Sequence, residues 1–434
     1  MEAALLVAVL GVNMTFWTMI GGCRLTAERL TRAPDTIPDE ELSPADVAVL
    51  IPAHNEEPVV AATISSALRL VPPGNVHVIA DGCTDATAEI ARSAGACVLE
   101  LHPGRGKAGG IEAAVEHFAI ARRFAVLLIV DADTELDEHY LERGLPLIGQ
   151  PGVVAVAGYA KTMWPAVELG PFGRFVVAYR TRLYAVMQWL KYGQTWRWTN
   201  VTAIVPGFAS MYRTDVLDTM DLNPPGLIIE DFNMTFEIHH KRLGKIAFRP
   251  GVSATTQDPD TFLDYYRQVL RWQLGLWQTI RRHGFWASGF SAALAFFLVE
   301  VLIASVGLVA LVAAIVLFAP AVLASNARLA MGWNVPHDIF EFYQGLVLVL
   351  VVTALLDYIL TCLVAVALRR PSLLLYGVGF LGLRFVDATA ILWTLPMAWI
   401  TQSSGRWTSP ARRPTTGVTP PAQPQHPHGQ GRSV

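Results

Sequence analysis

At 434 residues the chain has room for several domains or one large one. It is 53% hydrophobic and only 16% charged, against about 25% charged for an ordinary soluble domain. The apolar excess is gathered into a few long runs, which predicts a membrane protein carrying a soluble domain. A formal charge of −3, with no basic stripe interleaved with aromatics, excludes nucleic acid as an expected partner. The four cysteines (Cys23, Cys83, Cys97, Cys362) form no CxxC pair, which argues against a zinc site. Cys83 and Cys97 read as reduced packing residues.

Residues 3–22 carry no charge and are long enough to cross a bilayer. Arg24, Arg29 and Arg32 follow, so the positive-inside rule puts the N-terminus outside and the next segment in the cytoplasm. Residues 31–44, rich in Pro and acids, read as a linker.

From residue 45 the period changes. Short apolar runs at 47–52, 76–80, 96–100, 125–130 and 153–159 read as strands, with helical patterns at 58–70 and 111–122 between them. This alternation predicts a doubly wound, mostly parallel α/β sheet. The run at 125–130 ends in Asp131 and Asp133. Two residues apart on an extended backbone, their side chains point the same way. At the carboxyl end of a parallel strand, where open α/β sheets bind ligands, they suit a hard divalent cation; acidic helix caps are the plainer alternative.

The glycine-rich turn at 102–110 contains Lys107. Leu101 stands where a Walker A glycine belongs and Ala108 follows the lysine, so this is not a P-loop. GxGxxG spacing is absent too. Residues 164–200 are dense in Trp, Tyr and Arg, which suits either sugar stacking or an amphipathic helix at the bilayer surface. Ile228-Ile-Glu230-Asp231 repeats the device of an apolar run ending in acids, and a helix is expected at 232–243. Further on, Gln268, Arg271 and Trp272 share one face at helical spacing. Arg271 offers a cationic fork for a diphosphate, and Trp272 a flat apolar wall.

Residues 289–320 and 344–368 read as membrane spans, each with one acid inside, Glu300 and Asp357. Residues 372–400 are long enough to cross, but Arg384 and Asp387 make a lipid-exposed span expensive. An interfacial or re-entrant stretch is therefore expected there, followed by a basic and then disordered tail.

Together these pieces resemble the membrane-embedded processive members of glycosyltransferase family 2: the hyaluronan, chitin, cellulose and poly-N-acetylglucosamine synthases. The resemblance spans about residues 47–283 and the flanking apolar runs. It rests on Asp131-Ala-Asp133, Glu230-Asp231 and Gln268-Val-Leu-Arg271-Trp272. It implies a GT-A fold with a cytoplasmic catalytic domain at 45–284. It also implies Mg²⁺ or Mn²⁺ on Asp133 and Asp131, and a UDP-sugar at the edge formed by Pro52, His54, Asn55, Glu56 and Asp81, with Lys107 near the nucleotide.

By the same resemblance Asp231 is the general base, and Gln268, Arg271 and Trp272 cover the diphosphate and form the acceptor end. Glu230, beside the base, orients its neighbours. Three departures stand out: Ala80-Asp-Gly replaces Asp-Asp-Gly, Ile229 replaces a threonine, and no FxVTxK loop exists. Gly405-Arg406-Trp407-Thr408 resembles the Trp-containing gating segment of hyaluronan synthases.

The expected reaction is inverting transfer from a UDP-sugar to a growing β-linked polysaccharide, coupled to export through the membrane. A homo-oligomer or an accessory export subunit would complete the channel. Transfer of one sugar to a polyprenyl phosphate or other lipid is the alternative. A non-catalytic nucleotide-sugar-binding membrane protein is the remote one.

Overall fold

The computed structural model describes Cys23 and residues 41–164, 169–188, 196–197, 199–328, 337–401 and 412–413. The expected N-terminal anchor, most of the linker, and Arg406, Trp407 and Thr408 lie outside these residues. The soluble part is an eight-stranded mixed sheet. In chain order its strands are β1 (Val47–Ala53), β2 (Val76–Asp81), β3 (Cys97–Leu101), β4 (Val126–Val130), β5 (Thr134–Leu136), β6 (Val153–Thr162), β7 (Ala209–Arg213) and β8 (Lys245–Thr256). They lie in the order β3-β2-β1-β4-β7-β6-β8-β5.

The first half is wholly parallel, with β1 between β2 and β4 and β3 outside β2. β1 and β4 are buried at every residue, which explains why they read as continuous apolar runs. Helices α1 (Val60–Leu68), α2 (Thr87–Ser93), α3 (Gly106–His117) and α4 (Ile120–Arg123) make the crossovers. β7 then enters antiparallel to both β4 and β6, and β5 pairs antiparallel with β8. Helix α5 (Tyr140–Ile148) packs on this second half. The sheet is GT-A-like, as the resemblance implied.

α3 starts five residues before the expected 111, so Lys107 sits in its first turn rather than in an open loop. The reason lies in Asp81: its carboxylate accepts from Arg105 N at 2.6 Å and Gly106 N at 2.8 Å, satisfying donors that a helix start otherwise leaves bare.

The remaining helices are α6 (Pro171–Ala185), α7 (Glu230–His240), α8 (Phe262–His283), α9 (Gly289–Arg328), α10 (His337–Ala367), α11 (Ser372–Gly377) and α12 (Phe380–Ile400). Three of these contain stretches long and apolar enough to cross a membrane, 289–320, 338–367 and 380–400, with mean hydropathies of 3.0, 2.6 and 1.3. Outward residues such as Leu317, Leu348 and Val366 are exposed, as lipid-facing side chains would be.

Two acids within these apolar helices, Asp357 and Asp387, are paired inside the protein. Asp357 on α10 pairs with Arg182 of α6 at 2.6 Å and Arg384 of α12 at 2.8 Å. Asp387 accepts from the hydroxyls of Tyr179 at 2.6 Å and Tyr265 at 2.5 Å. The charges that made residues 372–400 look unfit to cross therefore face protein rather than lipid, and they do not bar a crossing.

Asp357→Ala is expected to strand two guanidinium groups and destabilise the protein by about 3–5 kcal/mol, measured by thermal unfolding in detergent. Arg384→Met should cost less, because Arg182 still neutralises Asp357.

Candidate active site

β4 delivers Asp131 and Asp133 past its last residue, at the carboxyl end of the parallel half-sheet. Asp131 N donates to the Phe208 carbonyl at 2.8 Å, so the turn before β7 fixes the first acid. From the far side, Glu230 and Asp231 open α7. Asp231 accepts from Gly207 N at 3.0 Å and from its neighbour Phe232 N at 2.7 Å. Between the two acidic segments lies the Lys107 ammonium, 2.7 Å from Asp131 Oδ1 and 2.6 Å from Glu230 Oε1.

Segment 206–208 thus holds one acid of each pair, Asp131 and Asp231, and at Gly207 it leaves little room for a side chain. A Cβ there would stand 3.0 Å from Glu230 Oε1 and 3.1 Å from Lys107 Nζ. Gly275 does the same for α8: a Cβ would fall 2.7 Å from Ile229, so the helix approaches the acid-bearing segment closely. Gln278 on α8 also accepts from Ile228 N at 3.2 Å.

A cavity of about 1010 Å³ joins these groups. Glu56, Lys107, Asp131, Asp133, Glu230, Asp231, Gln268, Arg271 and Trp272 all line it. Acids separated by a hundred residues therefore share one space, together with the α8 triplet. Among the described residues, Arg271 has no carboxylate within ion-pair distance, which leaves its fork available to an anionic ligand.

Pro52, His54, Asn55 and Asp81 stand beside this cavity rather than on its wall. Pro52 is a buried residue of β1. His54 Nδ1 donates to the Asp81 carbonyl at 2.6 Å, and Asn55 Oδ1 accepts from Thr84 N at 2.8 Å. Both Asp81 carboxylate oxygens are engaged by the turn at 105–106. In this arrangement these four residues shape the edge.

Three contributors escaped the sequence reading. Arg412 reaches in from beyond the last helix, with Nη1 at 2.5 Å from Asp133 Oδ2 and Nε at 2.9 Å from Glu56 Oε2. Gly207 was missed although a Pro-Gly pair after an apolar run is a turn signal. Arg180, 1% exposed, donates to Gln268 at 2.9 Å and lies 4.3 Å from the Trp272 ring centroid. It fixes two of the three α8 residues. The sequence offered only its place in an Arg- and aromatic-rich stretch.

The electrostatics follow from crowding. Burial pushes the Asp231 carboxyl up to about 7, reinforced by Glu230 and opposed by Lys107 and the amides of Gly207 and Phe232. Asp133 is raised by burial and by Asp131 despite Arg412. Burial alone would lower the Lys107 ammonium, but Asp131 and Glu230 outweigh it and keep the charge in place. Among the described residues Lys107 is ion-paired with Asp131 and Glu230, and Arg412 with Asp133 and Glu56, while Asp231 is held by the amides of Gly207 and Phe232. Among the described residues no three acids, histidines or cysteines cluster closely enough to cage a metal by themselves; Asp131 and Asp133 suit Mg²⁺ or Mn²⁺ as the one or two carboxylates such an ion takes beside substrate phosphates.

A family model described as "Glycosyltransferase like family 2" matches residues 44–275, the stretch that builds the sheet and the site. The chain belongs to this family. Among relatives, the probable glycosyltransferase YdaM of Bacillus subtilis is 27% identical over 243 residues, covering 53% of this chain and 54% of that protein. A dolichyl-phosphate hexose transferase of Haloferax volcanii is 34% identical over 113 residues, covering 26% and 47%. The chain spans about half the length of these two relatives. The mannosyltransferase PcManGT of Pyrobaculum calidifontis, solved with GDP-Man and Mn²⁺, is 18% identical with a TM-score of 0.50, covering 82% of this chain and 98% of that one. That likeness shows a shared fold.

Lys107→Ala in this family member should cost about 3–5 kcal/mol of stability near pH 7.5, by leaving buried carboxylates unpaired. The deficit is read from thermal unfolding curves of the variant and the native protein at that pH.

Proposed function

We propose that the protein transfers a sugar from a nucleotide-sugar donor to a hydroxyl of an acceptor carried in the membrane. One observation carries this reading: the cavity holding Asp133, Asp231 and Arg271 runs without interruption into a groove between α9, α10 and α12. Its wall there includes Leu294, Phe297, Leu298 and Val301 of α9, Leu360 and Leu363 of α10, and Ile391 of α12. Aliphatic walls suit a lipid chain, whereas a sugar polymer wants hydrogen-bonding partners along its path. The Haloferax volcanii relative, whose name specifies dolichyl phosphate, supports the lipid carrier but not the hydroxyl, since a lipid phosphate would attack through an oxygen that is already anionic.

In this reading the donor is a UDP-sugar. Asp231 takes the proton from the acceptor hydroxyl as it attacks the anomeric carbon. A carboxyl near 7 is well matched to that task at neutral pH. Glu230 is held by Lys107 and fixes the approach of its neighbour. Attack from the face opposite the diphosphate inverts the anomeric centre. Arg271 receives negative charge as the diphosphate leaves. A divalent cation held by Asp131 and Asp133 would neutralise the same charge as a Lewis acid.

Processive extension of a β-linked polysaccharide is the second reading, favoured by Gln268 and Trp272 lining the same cavity as the acids. Export through a homo-oligomer or with an accessory subunit would belong to it.

The test supplies purified full chain with a panel of UDP- and GDP-sugars, Mg²⁺ or Mn²⁺, and membrane lipid extract. A labelled product that partitions into organic solvent with one added sugar is expected; a long water-soluble ladder would establish the second reading instead. Asp231→Asn should lower kcat/KM by about 10²-fold or more. In the native protein kcat/KM should rise with pH through about 7 and then level, because only the ionised carboxylate accepts the proton. A phosphate acceptor is already an anion and would leave Asp231→Asn far less impaired.

A further inference from the structure

Arg412 sits on the carboxylates that the proposed metal would need. Its guanidinium spans Asp133, at 2.5 Å, and Glu56, with contacts of 2.9 and 3.3 Å. Both acids are buried, Glu56 fully and Asp133 at 6% exposure. The next residue anchors this placement from a second side. Arg413 N donates to Gln257 at 3.3 Å, its carbonyl accepts from the same side chain at 2.9 Å, and its guanidinium donates to the Asp258 carbonyl at 3.1 Å.

Two consecutive arginines are therefore seated by specific partners, unlike a basic tail resting on a surface. Asp131 is neutralised in parallel by Lys107. Both acids of the Asp131–Asp133 pair are thus matched by cations that belong to the chain itself.

We propose that Arg412 is a tethered competitor for the divalent cation: its guanidinium neutralises Asp133 in the resting protein, and the metal binds only by displacing it. This inference rests on the reading of Asp131 and Asp133 as metal ligands. The competition is intramolecular, so its strength is set by the fraction of molecules in which Arg412 is seated. Occupancy of nine molecules in ten raises the apparent metal dissociation constant about ten-fold. Removing the guanidinium should remove that factor. A lysine keeps the charge but loses the fork that engages two carboxylates at once.

The experiment measures Mn²⁺ binding to the full chain by the loss of the free-ion electron paramagnetic resonance signal, without nucleotide or turnover. Wild type, Arg412→Ala, Arg412→Lys and Asp133→Asn are compared, with melting curves to confirm folding. Arg412→Ala should bind Mn²⁺ about ten-fold more tightly than wild type, with Arg412→Lys between them and Asp133→Asn binding weakly. Equal or weaker binding in Arg412→Ala, while Asp133→Asn still abolishes binding, would overturn the competitor role and leave the metal reading standing. Binding that is indifferent to Asp133→Asn would overturn the metal reading, and the competitor role with it.

Discussion

A single ammonium group decides whether this site can exist. Carboxylates brought together in a partly buried space repel one another and resist ionisation. Lys107 sits between one acid from the end of β4 and one from the start of α7, within 2.7 Å of each. The crossover from β3 delivers it there, on a helix whose first amides are held by Asp81. Asp81 thus acts at a distance: by starting α3 early, it aims the lysine that ties together two segments a hundred residues apart. Asp231 stays raised to about 7 chiefly through burial, with Glu230 adding to the shift and Lys107 opposing it.

The second constraint joins this charged site to the apolar half of the molecule. Helix α8 carries the coupling. Near its start Tyr265 bonds to Asp387 of α12; in its middle Gln268, Arg271 and Trp272 face the cavity; toward its end Gly275 and Gln278 clasp the segment that leads to Glu230. Arg180 of α6 locks the middle of the helix through Gln268 and Trp272. α8 thus joins α12 to the acid-bearing segment through direct contacts at both of its ends.

Much of this was legible in the residues. β1 and β4 were readable because strands buried on both faces leave an unbroken apolar run. The α8 triplet was readable because helical spacing alone puts its members on one face. β7 and β8 were not. β7 is only five residues long, too short for its alternation of Ser210 and Tyr212 with apolar residues to stand out, and β8 is interrupted by Arg249-Pro250-Gly251. Arg412 was illegible for another reason, since nothing local to a basic tail says which distant acid it will meet. Asp357, Arg384 and Asp387 looked costly in sequence because their partners, Arg182, Tyr179 and Tyr265, lie on other elements far away in the chain.

The most direct test of the shared site is a structure of the full chain in lipid with Mn²⁺ and UDP, locating the metal and the nucleotide in one map. The expected result is metal density on Asp133, with the diphosphate lying between it and Arg271 and Asp231 left open toward the groove of α9 and α10. A diphosphate bound elsewhere, or one that touches Asp133 while Asp231 faces a separate space, would contradict the convergence of these acids on one reaction.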